Sequence, residues 1–249
     1  MIKVIGIEGI PIIKEGDDLA KILCEAASKQ GSSIQDGDII VITHVVVSRA
    51  EGNIVDLREV TPSEFAVNFA KEAGKEPSLV EVVLRESRSI VRMDREKLIT
   101  ETRHGFVCAN AGVDRSNVHR EHSVALLPKD PDSSARSIRK RIADLTGKDV
   151  AVIISDTHGR PFREGEINVA IGVSGLEPIR DRRGEKDLFG YELRVKRTAI
   201  ADELASAAEL VIGQSDEGIP AAIIRGYKYI KSEYGSVKQL IRPREKSLF

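Results

Sequence analysis

The sequence contains no tryptophan, and aromatic residues fill only 4% of its 249 positions. So few aromatic faces argue against a platform on which nucleobases stack. A dominant sign of charge is also missing: 38 Lys and Arg against 39 Asp and Glu leave a formal net charge of -1. No long-range field therefore points to nucleic acid or to a membrane surface. No apolar run reaches the ~18 residues of a membrane span. The opening MIKVIGIEGIPIIKEG is too short and too interrupted for a signal peptide. The two cysteines, Cys24 and Cys108, sit in apolar surroundings. They read as small core residues in a reducing cytoplasm, with a disulfide between them left open. Neither GxxxxGK(S/T) nor a strand-linked GxGxxG occurs, so the standard nucleotide signatures are absent.

What is present is ordinary in bulk and uneven in detail. At 41% hydrophobic and 31% charged residues, the composition is that of a soluble globular protein. The length suits one large domain or two small ones, with a sizeable core. Weak alternation predicts a strand over Met1–Ile7, broken by Gly9-Ile10-Pro11. Helical spacing of Leu19, Ile22, Leu23 and Ala26 predicts a helix over Asp18–Gln30, stopped by Gly31. The β-branched run Ile39–Val47 predicts one buried strand that ends in Ser48-Arg49-Ala50-Glu51-Gly52. Thr61-Pro62-Ser63-Glu64 predicts a helix opening with Thr61 as cap, running to Ala73. A short helix over Leu79–Glu86 follows, then short antiparallel strands at Ser89–Met93, Leu98–Thr102 and Gly105–Ala109.

Asp132–Thr146 reads as a helix with Ala135, Ile138, Ile142 and Leu145 inward, and with Arg136, Arg139, Lys140 and Arg141 on a solvated face. Strands are expected at Asp149–Ser155, Asn168–Val173 and Ala221–Ile224, and a helix over Ala199–Leu210. No repeat, low-complexity segment or long linker interrupts the chain. The mixture of loosely alternating elements with several strands in succession predicts an α+β fold, or α/β with an antiparallel insertion.

Four polar clusters follow apolar runs, where such scaffolds usually place ligand groups. In Ser155-Asp156-Thr157-His158-Gly159-Arg160, a carboxylate and an adjacent hydroxyl suit one hard cation, and arginines suit phosphate oxygens. A capped turn leading into a surface loop explains the same residues. Asn110-Ala111-Gly112-Val113-Asp114-Arg115-Ser116-Asn117 offers a second carboxylate, and Gly112 permits a tight turn or close backbone approach. The alternative is an Asx-type turn. Gly213-Gln214-Ser215-Asp216-Glu217-Gly218-Ile219-Pro220 suits nucleotide contacts and a metal ligand, or a helix-to-strand loop with Gly213 as cap. Arg49, placed directly after a predicted buried strand, suits a phosphate or a surface hairpin. His119-Arg120-Glu121-His122 resembles a metal pair only superficially. The basic stretch Arg180–Lys186 is balanced by acids. No Cys-His-Asp nucleophile can be assembled from the sequence.

Taken in order, GIPIIKEGDDL (9–19), SRAEG (48–52), NAGVDRSNV (110–118), SDTHGRPFR (155–163), DLFGYEL (187–193) and GQSDEGIP (213–220) resemble the γ-glutamyl ligase family of coenzyme F420 biosynthesis. The resemblance spans essentially residues 1–249 as one catalytic unit, in the stand-alone archaeal form without an appended reductase-like domain. It implies a two-lobed α+β fold and a cytoplasmic homodimer with nucleotide near the subunit boundary. It implies GTP-dependent addition of L-glutamate to the lactyl carboxylate of F420-0, then γ-linked addition of a second glutamate. Two divalent ions, Mn²⁺ or Mg²⁺, and a stimulating K⁺ are implied with it; nucleic acid and membranes are not partners.

Carried over by residue, the resemblance assigns Asp114, Asp156 and Thr157 as catalytic metal ligands and Gln214 as a further metal position where some relatives have Glu. It assigns nucleotide contacts to Ile10, Pro11, Ile12, Ile13, His44, Val45, Arg49 and Asn117. The 212–219 segment adds Ile212, Gly213, Gln214, Ser215, Asp216, Glu217, Gly218 and Ile219 to those contacts. Arg49 stands where Lys is expected in many relatives, a fork in place of a point charge. His158 falls beside the metal pair or faces substrate, and Arg160 and Arg163 are expected near phosphate or anionic substrate. A metal-dependent phosphohydrolase, a ligase for another carboxylate, or a non-catalytic nucleotide-binding protein would share most of these features.

Overall fold

The continuous apolar runs of the sequence become strands buried on both faces, which is why they do not alternate. A computed structural model describes residues 1–94, 97–118 and 122–246. In chain order it contains β1 (Lys3–Gly6), α1 (Leu19–Lys29), β2 (Ile39–Thr43), α2 (His44–Ala50), β3 (Ile54–Asp56), α3 (Glu64–Ala73) and α4 (Pro77–Glu86). Then come β4 (Ser87–Met93), β5 (Leu98–Thr102), β6 (Val107–Ala109), β7 (Ser123–Ala125), α5 (Pro131–Thr146), β8 (Ala151–Arg160) and β9 (Arg163–Leu176). The chain continues with β10 (Ile179–Asp181), β11 (Arg197–Ala199), α6 (Ile200–Ile212), β12 (Ala221–Arg225) and β13 (Lys231–Ser232).

The main sheet has the order β1-β12-β2-β8-β9-β13. Its β2–β8 pair is parallel and its other pairs are antiparallel. Period-2 alternation divides it cleanly between two cores. Ile40, Ile42, Val152, Ile154 and Ile223 face α1 and α5, whereas Ile39, Val41, Ile153 and Ile224 face α6. The small residues Ala201, Ala205 and Ala208 let α6 lie close on the sheet. On the other side Gly172 meets the first turn of α5: a Cβ there would fall 2.4 Å from the Pro131 carbonyl oxygen. A third core joins α3 and α4 to β3, β5 and β7 through Leu57, Phe69, Val83, Leu98 and Val124, forming a smaller lobe. Ser48, fully buried on α2, donates to the Leu126 carbonyl at 2.6 Å and ties that lobe to the sheet. The fold is α+β with mixed, mostly antiparallel sheets, as the pattern of elements predicts.

Helix ends follow the local chemistry. Asp18 accepts from Lys21 N–H to open α1, and Asp130 accepts from Ser133 N–H to open α5. The cap of α3 is Ser63, which accepts from Ala66 N–H; Thr61 and Pro62 lie before it, so the expected Thr61 cap is displaced by two residues. The predicted strand Ile39–Val47 is half strand and half helix. β2 stops at Thr43, and His44 to Ser48 are buried on all sides in α2, so burial overrides β-propensity. Arg49 therefore lies on a helix, and no hairpin forms at 48–52.

The Asp149–Ser155 strand is longer than expected. β8 runs on through Asp156–Arg160, paired with β9 into a ribbon that turns at Pro161-Phe162. Leu145 is partly exposed, and Arg139 is not a free surface cation: it pairs with Asp149 and Glu233 and donates to the Val150 carbonyl. Both cysteines are free thiols. No helix among the described residues is long and apolar enough to cross a membrane.

Candidate active site

β2 and β8 run side by side until Thr43 and Ser155, the last paired residues, and then part. β2 turns into α2, β8 continues beside β9 alone, and the notch between them opens at the carboxyl ends of two parallel strands. That is where open sheets place ligands. The cleft has a volume of about 380 Å³. Its rim takes in the 10–12 loop, the start of α2, the 114–118 turn of the smaller lobe, β8, and the loop after α6.

Neighbours on a strand point to opposite faces, so β8 sends Asp156 and His158 toward α2 and Thr157 toward α6. The Asp156 carboxylate is nine-tenths buried and held at both oxygens. His44 Nε2 lies 3.2 Å from Oδ1 and His158 Nε2 lies 3.1 Å from Oδ2, while Thr157 N–H donates to Oδ1 at 2.8 Å. Burial by itself would raise the Asp156 pKa; the charge and hydrogen bonds of the two imidazoles outweigh it and hold the group well below the usual carboxylate range. The same contacts work in reverse on the histidines. Burial acts to lower His44, but Asp156 and, more distantly, Asp114 raise it. His158 is pushed up to about 10 against its own burial, by Asp156 and by a hydrogen bond with Cys108. Nδ1 of His44 and the hydroxyl of Ser155 are buried without a partner among the described residues.

On the α6 side Thr157, Asn168, Glu209 and Gln214 bond to one another. Burial raises the Glu209 pKa, opposed by the bond from Gln214. Gly213 ends α6, its N–H donating to the Glu209 carbonyl at 3.1 Å, and so turns Gln214 back toward β8. From the smaller lobe comes Asp114, whose backbone bridges to Ala125 while its carboxylate accepts from Ser116 N–H and Oγ at 2.6 and 2.8 Å. Gly112 has φ +70, and a Cβ there would fall 2.8 Å from Leu127, so the tight turn anticipated at this position needs glycine.

Of the residues singled out from the sequence, Ile10, Pro11, Ile12, His44, Val45, Arg49, Asp114, Asn117, Asp156 and Thr157 line this cleft. So do Ile212, Gly213, Gln214, Ser215, Glu217, Gly218 and Ile219. Two do not. Ile13 is turned into the main core, and Asp216 is exposed outside the lining. Arg160 and Arg163 lie farther out on the ribbon; Arg160 donates to the carbonyls of Glu164 and Gly165 and so braces its own turn. Of the 119–122 motif, positions 119–121 lie outside the described residues.

Asn168 and Glu209 escaped the sequence reading. Asn168 is a buried amide at the head of an apolar run. Cys108 also escaped. It helps to raise the His158 pKa, but it does not line the cleft, so its thiol is not presented to a ligand.

Two carboxylates, a hydroxyl and an amide oxygen are the hard donors that Mg²⁺ and Mn²⁺ accept, with the remaining positions open to water or phosphate oxygen. Among the described residues no three His, Cys, Asp or Glu side chains group as a metal site. A cation in this cleft would thus depend on Thr157, Gln214 and the ligand's own oxygens, and the donor set fits a metal shared with a phosphate ligand.

Residues 7–226 match the family described as F420-0:gamma-glutamyl ligase. A Methanothermobacter thermautotrophicus protein named coenzyme F420:L-glutamate ligase is 53% identical across 100% of this chain and 98% of its own length. Proteins of the same name from Methanocaldococcus jannaschii and Archaeoglobus fulgidus are 49% and 43% identical, over 100% and 99% of this chain and 96% of each relative. The chain belongs to the F420-0:gamma-glutamyl ligase family.

Proposed function

We propose that this family member is an amide ligase that adds L-glutamate to the lactyl carboxylate of F420-0 and then γ-links a second glutamate, at the expense of GTP. The observation that supports it most is the convergence of Asp114 and Asp156, from two lobes, with Thr157 and Gln214 on one cleft. That cleft is otherwise lined largely by glycine, proline and aliphatic residues, which contact a nucleotide through backbone and apolar atoms.

This chemistry needs no nucleophilic side chain. An amine does not condense with a carboxylate in water at useful rates, because the carboxyl oxygen is a poor leaving group. Transfer of the γ-phosphoryl group to it gives an acyl phosphate and GDP. Attack by the glutamate amine then forms the amide, expels inorganic phosphate and loses the amine proton. Such transfers need positioning and charge stabilisation more than covalent help from the protein. Asp114, Asp156, Thr157 and Gln214 would hold one or two divalent ions, Mn²⁺ or Mg²⁺. Bound there, the metal supplies charge neutralisation across the phosphate oxygens. The 10–12 loop, His44, Val45, Arg49, Asn117 and the 212–219 loop would hold GTP, with Arg49 suited to phosphate by its guanidinium fork. The reading extends to a homodimer in the cytoplasm and to stimulation by K⁺.

Mass spectrometry of protein incubated with F420-0, L-glutamate, GTP and Mn²⁺, with and without K⁺, tests the proposal. The expected products are species heavier by one and two glutamyl units, with one GDP and one phosphate per addition. GDP release without a heavier deazaflavin would replace this reading by a phosphohydrolase or a ligase for another carboxylate.

A further inference from the structure

The α6 side of the cleft contains a closed ring of four side chains. Thr157 Oγ1 donates to Asn168 Oδ1 at 2.8 Å, and Asn168 Nδ2 donates to Glu209 Oε2. Gln214 Nε2 donates to Glu209 Oε1 and, at 2.9 Å, to Thr157 Oγ1. Three members of this ring can run in either direction. A hydroxyl rotates, and an amide turned end over end exchanges donor for acceptor. An ionised carboxylate cannot, because it has no hydrogen to give.

We propose that Glu209 is a positioning residue that fixes the direction of every hydrogen bond in this ring, so that Thr157 and Gln214 turn oxygen lone pairs toward the cleft. The inference rests on the reading above, in which those two oxygens face a divalent cation. Both carboxylate oxygens of Glu209 demand an N–H, so Asn168 and Gln214 must present their NH₂ groups to it. Asn168 then has only its carbonyl oxygen to offer Thr157, and the hydroxyl hydrogen is committed there. One Thr157 lone pair accepts from Gln214 and the other is left for a ligand. Gln214 has both N–H groups committed, which leaves its amide oxygen as the group it can offer. Asn168 is 2% exposed, so no bulk water is present to make good a wrong orientation. Glu209 does not line the cleft and would act only through its neighbours.

Replacing Glu209 with glutamine keeps the shape and removes the constraint. The new NH₂ group at position 209 then faces one neighbouring amide, and if that is Asn168, Asn168 turns over and donates to Thr157. The Thr157 hydrogen is driven toward the cleft, where it opposes a cation. Moving the carboxylate to position 168 restores the original sense. In the double variant E209Q/N168D, the carboxylate at 168 accepts from Thr157 and from the amide NH₂ at 209. The amide oxygen at 209 accepts in turn from Gln214.

The test is Mn²⁺ binding, read by the electron paramagnetic resonance signal of free Mn²⁺ over the purified full chain, with melting temperature as a folding control. The wild type, E209Q, N168D, E209Q/N168D and D156N are compared. E209Q and N168D are each expected to weaken Mn²⁺ about 10- to 100-fold, the usual effect of losing a group that orients a metal ligand. The double variant is expected to recover to within about threefold of wild type, a strong positive coupling. E209Q with wild-type affinity, while D156N loses it, would overturn the ring and leave the reading of the cleft intact. A double variant no better than its worse parent would overturn it too, since charge or packing would then be the role of Glu209. D156N with undiminished affinity would overturn the metal reading itself and this inference with it. If either single variant fails to fold, the double variant against wild type decides alone.

Discussion

The two walls of the cleft are built on different principles. On the sheet wall the ring groups are held by partners distant in sequence: Thr157 by Asn168, Asn168 by Glu209 and Gln214 by Thr157, across 11, 41 and 57 positions. Asp156 is clamped by imidazoles from α2 and from β8 itself. On the turn wall the Asp114 carboxylate is held by Ser116, two residues on, and Asn117 is exposed with φ +50. The first wall cannot form until the fold forms, and once formed it is preorganised. The second is a local turn presented by the smaller lobe. A site built this way sets its chemistry on the rigid side and adapts to its ligand on the other.

The sharpest way to break this contrast is to neutralise each carboxylate in turn. Asp156→Asn is expected to cut ligation about 10²- to 10³-fold, the scale for losing a preorganised charged group, with no recovery at high Mn²⁺. Asp114→Asn is expected to lose about tenfold less in steady-state rate and to recover in part as Mn²⁺ is raised, because a local turn readjusts at little cost. Equal, unrescued losses would mean the two walls are equally rigid.

The supporting residues give a smaller comparison. Asn168→Ala takes the acceptor from the half-buried Thr157 hydroxyl and the donor from Glu209 Oε2, and a buried polar group left unmatched costs about 1–3 kcal/mol. A fall in melting temperature and in activity is expected together. Ser116→Ala is exposed and is expected to change stability by less than about 0.5 kcal/mol, with activity changed by a few-fold at most.

A further effect is expected in the pH dependence of the metal-free protein. His158 has a folded pKa pushed up to about 10 from an ordinary 6.5. Its contribution to stability is thus complete below about pH 6.5 and is lost as pH rises toward 10. Denaturant midpoints should fall across that window and fall less in His158→Gln, measured by far-ultraviolet circular dichroism. A slope unchanged by the substitution would remove His158 from the clamp.

The same contrast explains what the sequence revealed. The turn wall and the core strands are local features. The Asx arrangement at Asp114, the tight turn at Gly112, the Gly213 cap and the β-branched runs of β2, β8 and β12 follow from residue type and spacing. The sheet wall was legible only as a series of separate clusters. Nothing local joins Glu209 to Asn168, and nothing in His44-Val45-Val46-Val47 announces a helix, because those residues become helical by being buried against the smaller lobe as well as the sheet. The extension of β8 through Asp156–Arg160 was hidden for the opposite reason. Ser-Asp-Thr-His-Gly-Arg has the composition of a loop, and only pairing with β9 keeps it a strand. Ile13, one step beyond Ile10, Pro11 and Ile12, turns into the core and away from the cleft.

In the proposed function the two walls share a divalent cation through Asp156 and Asp114. The most direct test is a crystal of the protein with Mn²⁺ and a non-hydrolysable GTP analogue, read by anomalous scattering at the manganese edge. A peak is expected within about 2.5 Å of oxygen atoms from both Asp156 and Asp114, with the analogue's phosphates completing its shell. A peak bound by one wall alone, or none in the cleft while the analogue is ordered there, would contradict it.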